Sequence, residues 1–274
     1  MNTCQPNSER LSQEPQVDVV NIETVQRDCE KHGAYRARLI VVVEGMDPVI
    51  EDCPMCREAD AAAAQRSADR AAQRLRSEKI KGLLSVASIP PRFAGASFDT
   101  YEVTSTAQRR VLTICQTFAR TWPEQMGKGG TLILTGAPGN GKTHLACAIA
   151  NAVMAQFEAT VAYGNVPDLL RTIKETYRRD STRTERQALQ DLIGPDLLVM
   201  DELGAQMGTD HEKQLLFEII DRRYTNLRPT IIASNLNRED LDGYLGQRAM
   251  DRFDQTATIL AFDWESYRSR RPGI

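Results

Sequence analysis

No stretch of this 274-residue chain is apolar for long enough to cross a bilayer, which takes about 20 residues, and the strand-like run near the amino terminus covers just Leu39 to Val43. The opening residues are polar and lack the apolar core of a secretory signal, so a cytoplasmic protein away from membranes is expected. Excess charge of one sign is missing too. The 34 Lys and Arg stand against 37 Asp and Glu, a net charge of −3, which argues against a protein that coats duplex DNA through bulk electrostatics and leaves room for local patches only. Proline is absent from Arg57 to Gly82, where Ala, Arg and Gln dominate, and this favours a helix. Its apolar content is mostly Ala, so it reads as a linker. Arg66, Arg70, Arg74, Lys79 and Lys81 recur along it, as a solvated face or as a contact for nucleic acid or an acidic partner. Pro90 and Pro91 end that helix and open the next domain.

With 41% hydrophobic and 26% charged residues, the chain has material for one sizeable α/β domain and a small accessory module. The accessory module is marked by cysteine. Cys29-x-x-His32 and Cys53-x-x-Cys56 form two pairs at knuckle spacing, separated by a hairpin-length stretch, and their soft and borderline ligands suit a tetrahedral Zn²⁺. A Cys53–Cys56 disulfide is the rival reading, disfavoured in a reducing compartment. Cys4 lies in the polar leader. Cys115 and Cys147 fall within apolar helical patterns and read as small buried hydrophobes.

The larger domain is announced by Gly136-Ala137-Pro138-Gly139-Asn140-Gly141-Lys142-Thr143, a GxxxxGK[ST] phosphate loop between the apolar run Thr131 to Thr135 and a helical pattern opening at His144. Glycines let the backbone curl so that successive N–H groups face phosphate. Lys142 supplies charge for the β- and γ-phosphates, and the helix start adds its dipole. Gly136 to His144, with Asp201, are the candidate residues for binding ATP or ADP. Asp196-Leu-Leu-Val-Met-Asp201-Glu202 reads as a buried strand ending in paired carboxylates. Thr143 and Asp201 are assigned to Mg²⁺, and Glu202 to the general base that polarises the attacking water. A further apolar run, Pro229 to Asn235, reads as a strand that brings the Asn235 carboxamide to the γ-phosphate.

Taken with Leu245-Gly-Gln-Arg248-Ala-Met-Asp-Arg252 and Phe262-Asp-Trp264-Glu-Ser-Tyr267-Arg268-Ser-Arg270, these motifs resemble the AAA+ ATPases of the bacterial replicative helicase loaders. These are the DnaC and DnaI types, together with phage relatives and the IstB-type helper ATPases of transposition. The resemblance runs from about Pro91 to Arg271. It implies a three-layer α/β sandwich on a central parallel sheet, with the lid reduced or absent because little chain follows Asn235, and with the zinc module in front. It implies a sensor role for Asn235 and for Arg268, and an arginine finger reaching a neighbouring subunit's ATP at Arg248, with Arg252 as competitor one turn later. Partners implied are a DnaB-type hexameric helicase, single-stranded DNA, and other copies of the chain through the ATP sites. For DNA, the basic segment Leu169 to Arg186 carries Arg171, Lys174, Tyr177, Arg178, Arg179, Arg183 and Arg186, either as a phosphate-tracking surface or as an amphipathic surface helix.

The expected layout is a polar leader over 1–25, a zinc module over 26–58, a helical linker over 59–88 and the ATPase domain over 89–274. The expected activity is helicase loading driven by ATP hydrolysis. A transposition helper, or a zinc-dependent nucleic-acid-binding regulator with an ATP switch, are the alternatives.

Overall fold

The computed structural model describes residues 21–41, 47–204 and 208–270. The chain divides into two compact units, one up to Arg74 and one from Leu75 onward.

In the first unit, β1 (Asn21–Cys29) and β2 (Gly33–Val41) form an antiparallel hairpin whose register runs from Asn21 opposite Val41 to Cys29 opposite Gly33. Gly33 takes the turn with φ +76°, a conformation that costs glycine little. The short strand β3 (Val49–Ile50) adds to the free edge of β2. Helix α1 (Pro54–Val86) follows, 33 residues long, with no buried residue among them. Two boundaries differ from the sequence reading. Strand β1 starts at Asn21, inside the stretch taken for a leader, because Ile22 to Gln26 find cross-strand partners on β2. Helix α1 starts at Pro54, so Cys56 lies in its first turn, where proline at the start is favourable. Cys4 and Val43 lie outside the described residues.

The second unit is a parallel five-stranded sheet in the order β5-β6-β7-β4-β8. Its strands are β4 (Thr131–Gly136), β5 (Val161–Asn165), β6 (Leu197–Leu203), β7 (Thr230–Ser234) and β8 (Ala257–Phe262). Helices α2 (Thr106–Arg120), α3 (Trp122–Lys128) and α4 (Lys142–Phe157) accompany one face. Helices α5 (Val166–Glu175), α6 (Glu185–Ile193), α7 (Asp210–Thr225), α8 (Arg238–Leu245) and α9 (Gln247–Thr256) accompany the other. The middles of the central strands are apolar because both faces are covered, with polar residues confined to their ends. Leu132, Leu134, Val199 and Ile231 join Leu145, Ile149 and Phe118 in one core, while Ile133, Leu198, Met200 and Ile232 join Leu216, Ile219 and Phe253 in a second. That alternation gives the three-layer sandwich. Helices α8 and α9 belong to the second core through Leu241, Leu245, Ala249 and Met250, so they build the body of the domain.

At the amino-terminal ends of β6 and β7 a buried guanidinium acts as a staple. Arg223, 1% exposed, donates to the carbonyls of Leu192 (2.8 Å), Ile193 (3.1 Å), Pro195 (2.9 Å), Asp196 (3.3 Å) and Pro229 (2.5 Å) and to Thr230 Oγ1 (3.0 Å). Burial pushes it down to about 9, which still leaves it cationic at neutral pH. Near the start of this unit, Arg76 donates to the carbonyls of Ala155 and Gln156 at the end of α4, and Lys79 pairs with Glu158 just beyond it. These two cations of the linker helix thus have local structural partners. Arg66, Arg70, Arg74 and Lys81 are exposed.

Candidate functional site

Parallel strands carry their loops at the carboxyl ends, and the phosphate loop joins β4 to α4 there. Its curl uses left-handed backbone at Gly136 (φ +137°), Gly139 (+86°) and Gly141 (+96°). A side chain at Gly136 would meet the Phe262 carbonyl at 2.3 Å, and one at Gly141 would meet the Tyr101 ring at 2.7 Å. Lys142 is 7% exposed, and its Nζ donates to the carbonyls of Gly136 (2.6 Å) and Ala137 (2.8 Å) and to Asn140 Oδ1 (3.2 Å).

Strand β7 pairs with both β4 and β6, which brings the three sequence motifs to one rim. The β6–β7 register slips between Met200 and Leu203, and Glu202 takes φ +56°. In an unbroken strand, neighbouring side chains point to opposite faces. The slip instead lets Asp201 and Glu202 both line one cavity with Pro138 to His144 and Asn235. Asp201 is 5% exposed; its Oδ2 accepts from the Tyr163 hydroxyl at 2.8 Å, and its Oδ1 accepts from the Glu202 N–H at 2.9 Å. Burial, then the Asp201 charge, raise the Tyr163 phenol above its ordinary range, so it stays a donor. Neither acid caps the helix that follows. That cap belongs to Thr209, whose hydroxyl accepts from the Glu212 N–H at 3.3 Å.

The cavity encloses about 310 Å³, and much of its wall is not announced by any local motif. Arg92, Phe93, Tyr101, Glu102, Thr104 and Gln108 form one side. Trp264, Glu265 and Tyr267 close another. His144, predicted to bind nucleotide, also lines it, with Nε2 3.0 Å from the Ser97 carbonyl and 3.2 Å from Thr100 Oγ1. Sequence reasoning saw Trp264 and Tyr267 only as marks of a family. The 92–108 wall reaches the loop by tertiary packing alone.

Arg248 and Arg252 both fall on α9 and do not line this cavity. Arg252 is committed within the chain: its Nε donates to Asp221 Oδ1 at 2.9 Å, and its guanidinium lies 5.1 Å from the Tyr224 ring centre. Arg248 is exposed and forms no ion pair among the described residues. Arg268 lies in the short 3₁₀ turn Tyr267–Arg270, and its side chain is outside the described residues.

The basic segment from Leu169 to Arg186 is not one helix. It spans the end of α5, a turn and the start of α6, with Thr184 capping α6. Arg171 pairs with Asp168 (2.7 Å), Lys174 with Glu212 (2.6 Å), Arg178 with Asp180 (3.5 Å) and Arg183 with Asp191. The Tyr177 hydroxyl donates to Glu185 Oε1 at 3.2 Å and lies 3.2 Å from His211 Nε2. Arg179 and Arg186 are exposed with no such partner among the described residues.

In the first unit the Cys29, Cys53 and Cys56 sulfurs and a ring nitrogen of His32 lie within 4.8 Å of one another. Cys29 Sγ is 3.6 Å from Cys56 Sγ, and His32 Nδ1 is 3.6, 3.6 and 3.4 Å from the sulfurs of Cys29, Cys53 and Cys56. A tetrahedral zinc with sulfurs at about 2.3 Å separates them by about 3.8 Å, so the spacing fits a metal ion. All three cysteines are free thiols, which sets aside the Cys53–Cys56 disulfide. The N–H of Lys31 leads the effects that hold Cys29 down at about 6, whereas its hydrogen bond with Cys29 leads those that push Cys56 up to about 11. Cys115 and Cys147 are fully buried, and burial holds both thiols up at about 12.

A phosphate loop on β4, paired carboxylates on β6 and a polar amide after β7, on a sheet ordered β5-β6-β7-β4-β8, define an ATPase of the AAA+ class. The chain belongs to the IstB-like ATP binding protein family, whose model matches residues 60–272. It is similar to the replicative helicase loader DnaC of Escherichia coli strain K12, with 36% identity over 200 residues, 72% of this chain and 79% of that protein. Among solved structures it is similar to the crystal structure of the DnaC helicase loader, at 28% identity and TM-score 0.57, covering 63% of this chain and 99% of that one. The crystal structure of DnaI, at 22% identity and TM-score 0.55, covers 65% of this chain and 94% of that one, and attests the fold.

Proposed function

We propose that this AAA+ ATPase loads a replicative hexameric helicase onto single-stranded DNA. The observation that carries the reading is the 36% identity over 200 residues to a replicative helicase loader. Lys142 binds the β- and γ-phosphates of ATP. Thr143 and Asp201 supply hard oxygen ligands suited to Mg²⁺, and Asn235 and Glu202 orient and deprotonate the lytic water. Mg²⁺ supplies charge neutralisation at the phosphates when bound.

Arg248 is the arginine that reaches the ATP of an adjoining copy, because Arg252 is occupied by Asp221 and Tyr224. Zinc is the metal of the Cys29, His32, Cys53 and Cys56 set, and the module it holds grips the helicase. Single-stranded DNA is met by Arg179 and Arg186, the basic residues of that segment without an acidic partner among the described residues. Work of this kind belongs to the cytoplasm, and no helix among the described residues is long and apolar enough to cross a membrane.

The test is co-purification of the full-length Glu202→Gln variant with a hexameric helicase and ATP. The reading expects ATP binding, no turnover and a helicase complex that persists. Normal turnover removes Glu202 as base, and capture of a transposase in place of a helicase moves the protein to the transposition helpers.

A further inference from the structure

The carboxyl-terminal strap holds the phosphate loop by its peptide oxygens. The Tyr267 N–H donates to the Gly139 carbonyl at 2.8 Å, and Trp264 Nε1 donates to the Asn140 carbonyl at 3.0 Å. In return Asn140 Nδ2 donates to the Phe262 carbonyl, and the Trp264 ring packs 4.8 Å from that of Phe262. The Tyr267 hydroxyl then donates to Glu102 Oε1 at 2.9 Å, tying the strap to the opposite wall of the cavity. Two consecutive peptide planes of the loop, Gly139-Asn140 and Asn140-Gly141, are therefore gripped from outside the motif.

A trans peptide directs its C=O and N–H to opposite sides. With the Gly139 and Asn140 oxygens turned to the strap, the N–H groups of Asn140 and Gly141 are turned away from it. We propose that Trp264 and Tyr267 are positioning residues of the nucleotide site: they fix two amides of the phosphate loop in the orientation that receives phosphate oxygens. Glycine-rich backbone is otherwise free to rotate these planes, and ordering them in advance lowers what binding must spend on entropy. The inference rests on nucleotide binding at this loop and not on helicase loading.

The experiment measures ADP binding to the full-length protein by calorimetry, and pyrophosphate binding by competition with ADP. Trp264→Phe keeps an aromatic ring and removes the N–H donor. Tyr267→Pro removes the other donor at the first position of a 3₁₀ turn, where proline is tolerated. Tyr267→Phe keeps the backbone donor. Trp264→Phe and Tyr267→Pro are each expected to weaken ADP and pyrophosphate alike by about fivefold, the worth of one hydrogen bond, with Tyr267→Phe affecting pyrophosphate little. Unfolding temperatures of the free variants are expected to stay close to that of the parent, and KM for ATP is expected to rise with kcat retained. Undiminished ADP affinity in both donor-removing variants overturns the proposal. So does weakening of ADP without pyrophosphate, which would put the strap's effect on the base. Absence of ADP binding by the unaltered protein is a separate result, and refutes the nucleotide site itself.

Discussion

The Tyr163 hydroxyl on β5 donates a 2.8 Å hydrogen bond to Oδ2 of Asp201 on the neighbouring strand β6. A buried carboxylate is costly unless its oxygens are satisfied, and this bond meets one of them. Tyr163→Phe keeps the ring in its core and leaves Asp201 short of a donor, so the protein is expected to lose about 1–2 kcal/mol of stability. The urea midpoint measures this, and an unchanged midpoint refutes it.

Lys142 brings the one cationic side chain of the phosphate loop to the cavity. Lys142→Ala is expected to weaken ATP binding by about 100-fold or more, the scale of a charge-assisted contact to phosphate, without unfolding the domain. Titration with a fluorescent ATP analogue, alongside a thermal melt, separates the two effects.

Arg223 offers a test at the other end of the sheet. Its removal takes the side-chain donor from the carbonyls of Leu192, Ile193 and Pro195, and leaves that of Pro229 with the Leu198 N–H alone. Arg223→Met, close in volume, is expected to destabilise the domain by about 3 kcal/mol or more. A melting temperature equal to the parent's contradicts the staple.

Arg248 and Lys142 belong to different halves of a shared site if neighbouring copies complete each other's ATP centres. Arg248→Ala and Lys142→Ala proteins should then each be inactive alone and recover part of the ATPase rate when mixed, because a mixed seam joins an intact loop to an intact arginine. Arg252→Ala should instead lower stability by about 1 kcal/mol through its lost contacts to Asp221 and Tyr224. Mixtures that stay silent argue against Arg248 as the finger.

Metal content tests the first unit. One zinc per chain is expected, and chelation should loosen β1, β2 and the start of α1, read by hydrogen exchange. Cys56 is held up at about 11 and keeps its proton at neutral pH, so it must release that proton to ligate. Affinity should therefore rise with pH and fall in acid, where Cys29 also protonates below about 6. Intense blue-green colour on replacing zinc by cobalt would report tetrahedral sulfur ligands, and Cys53→Ser should weaken it.

The centre of the nucleotide site was readable because its information is contiguous: Gly136 to Thr143 is one turn, and Asp201 and Glu202 end one strand. Its walls were not, since Tyr101, Gln108 and Trp264 reach the loop only through packing across the domain. The layout of the basic run was not legible for another reason. A single amphipathic surface helix was one of the two readings of Leu169 to Arg186, but α5 stops at Glu175, and the Thr184-x-x-Gln187 capping box starts a new helix. Charge counting also overlooked Asp168, Glu212 and Asp191, of which Glu212 is remote in sequence and neutralises Lys174 only in the fold.

The one-residue slip in β6 makes the order of its acids directional. Leu203, immediately after Glu202, is fully buried, so a carboxyl group shifted to that position would enter the apolar layer beneath the sheet. Neither transplanting the pair nor reversing it to Glu-Asp would therefore present the two carboxyl groups to the cavity in the same way.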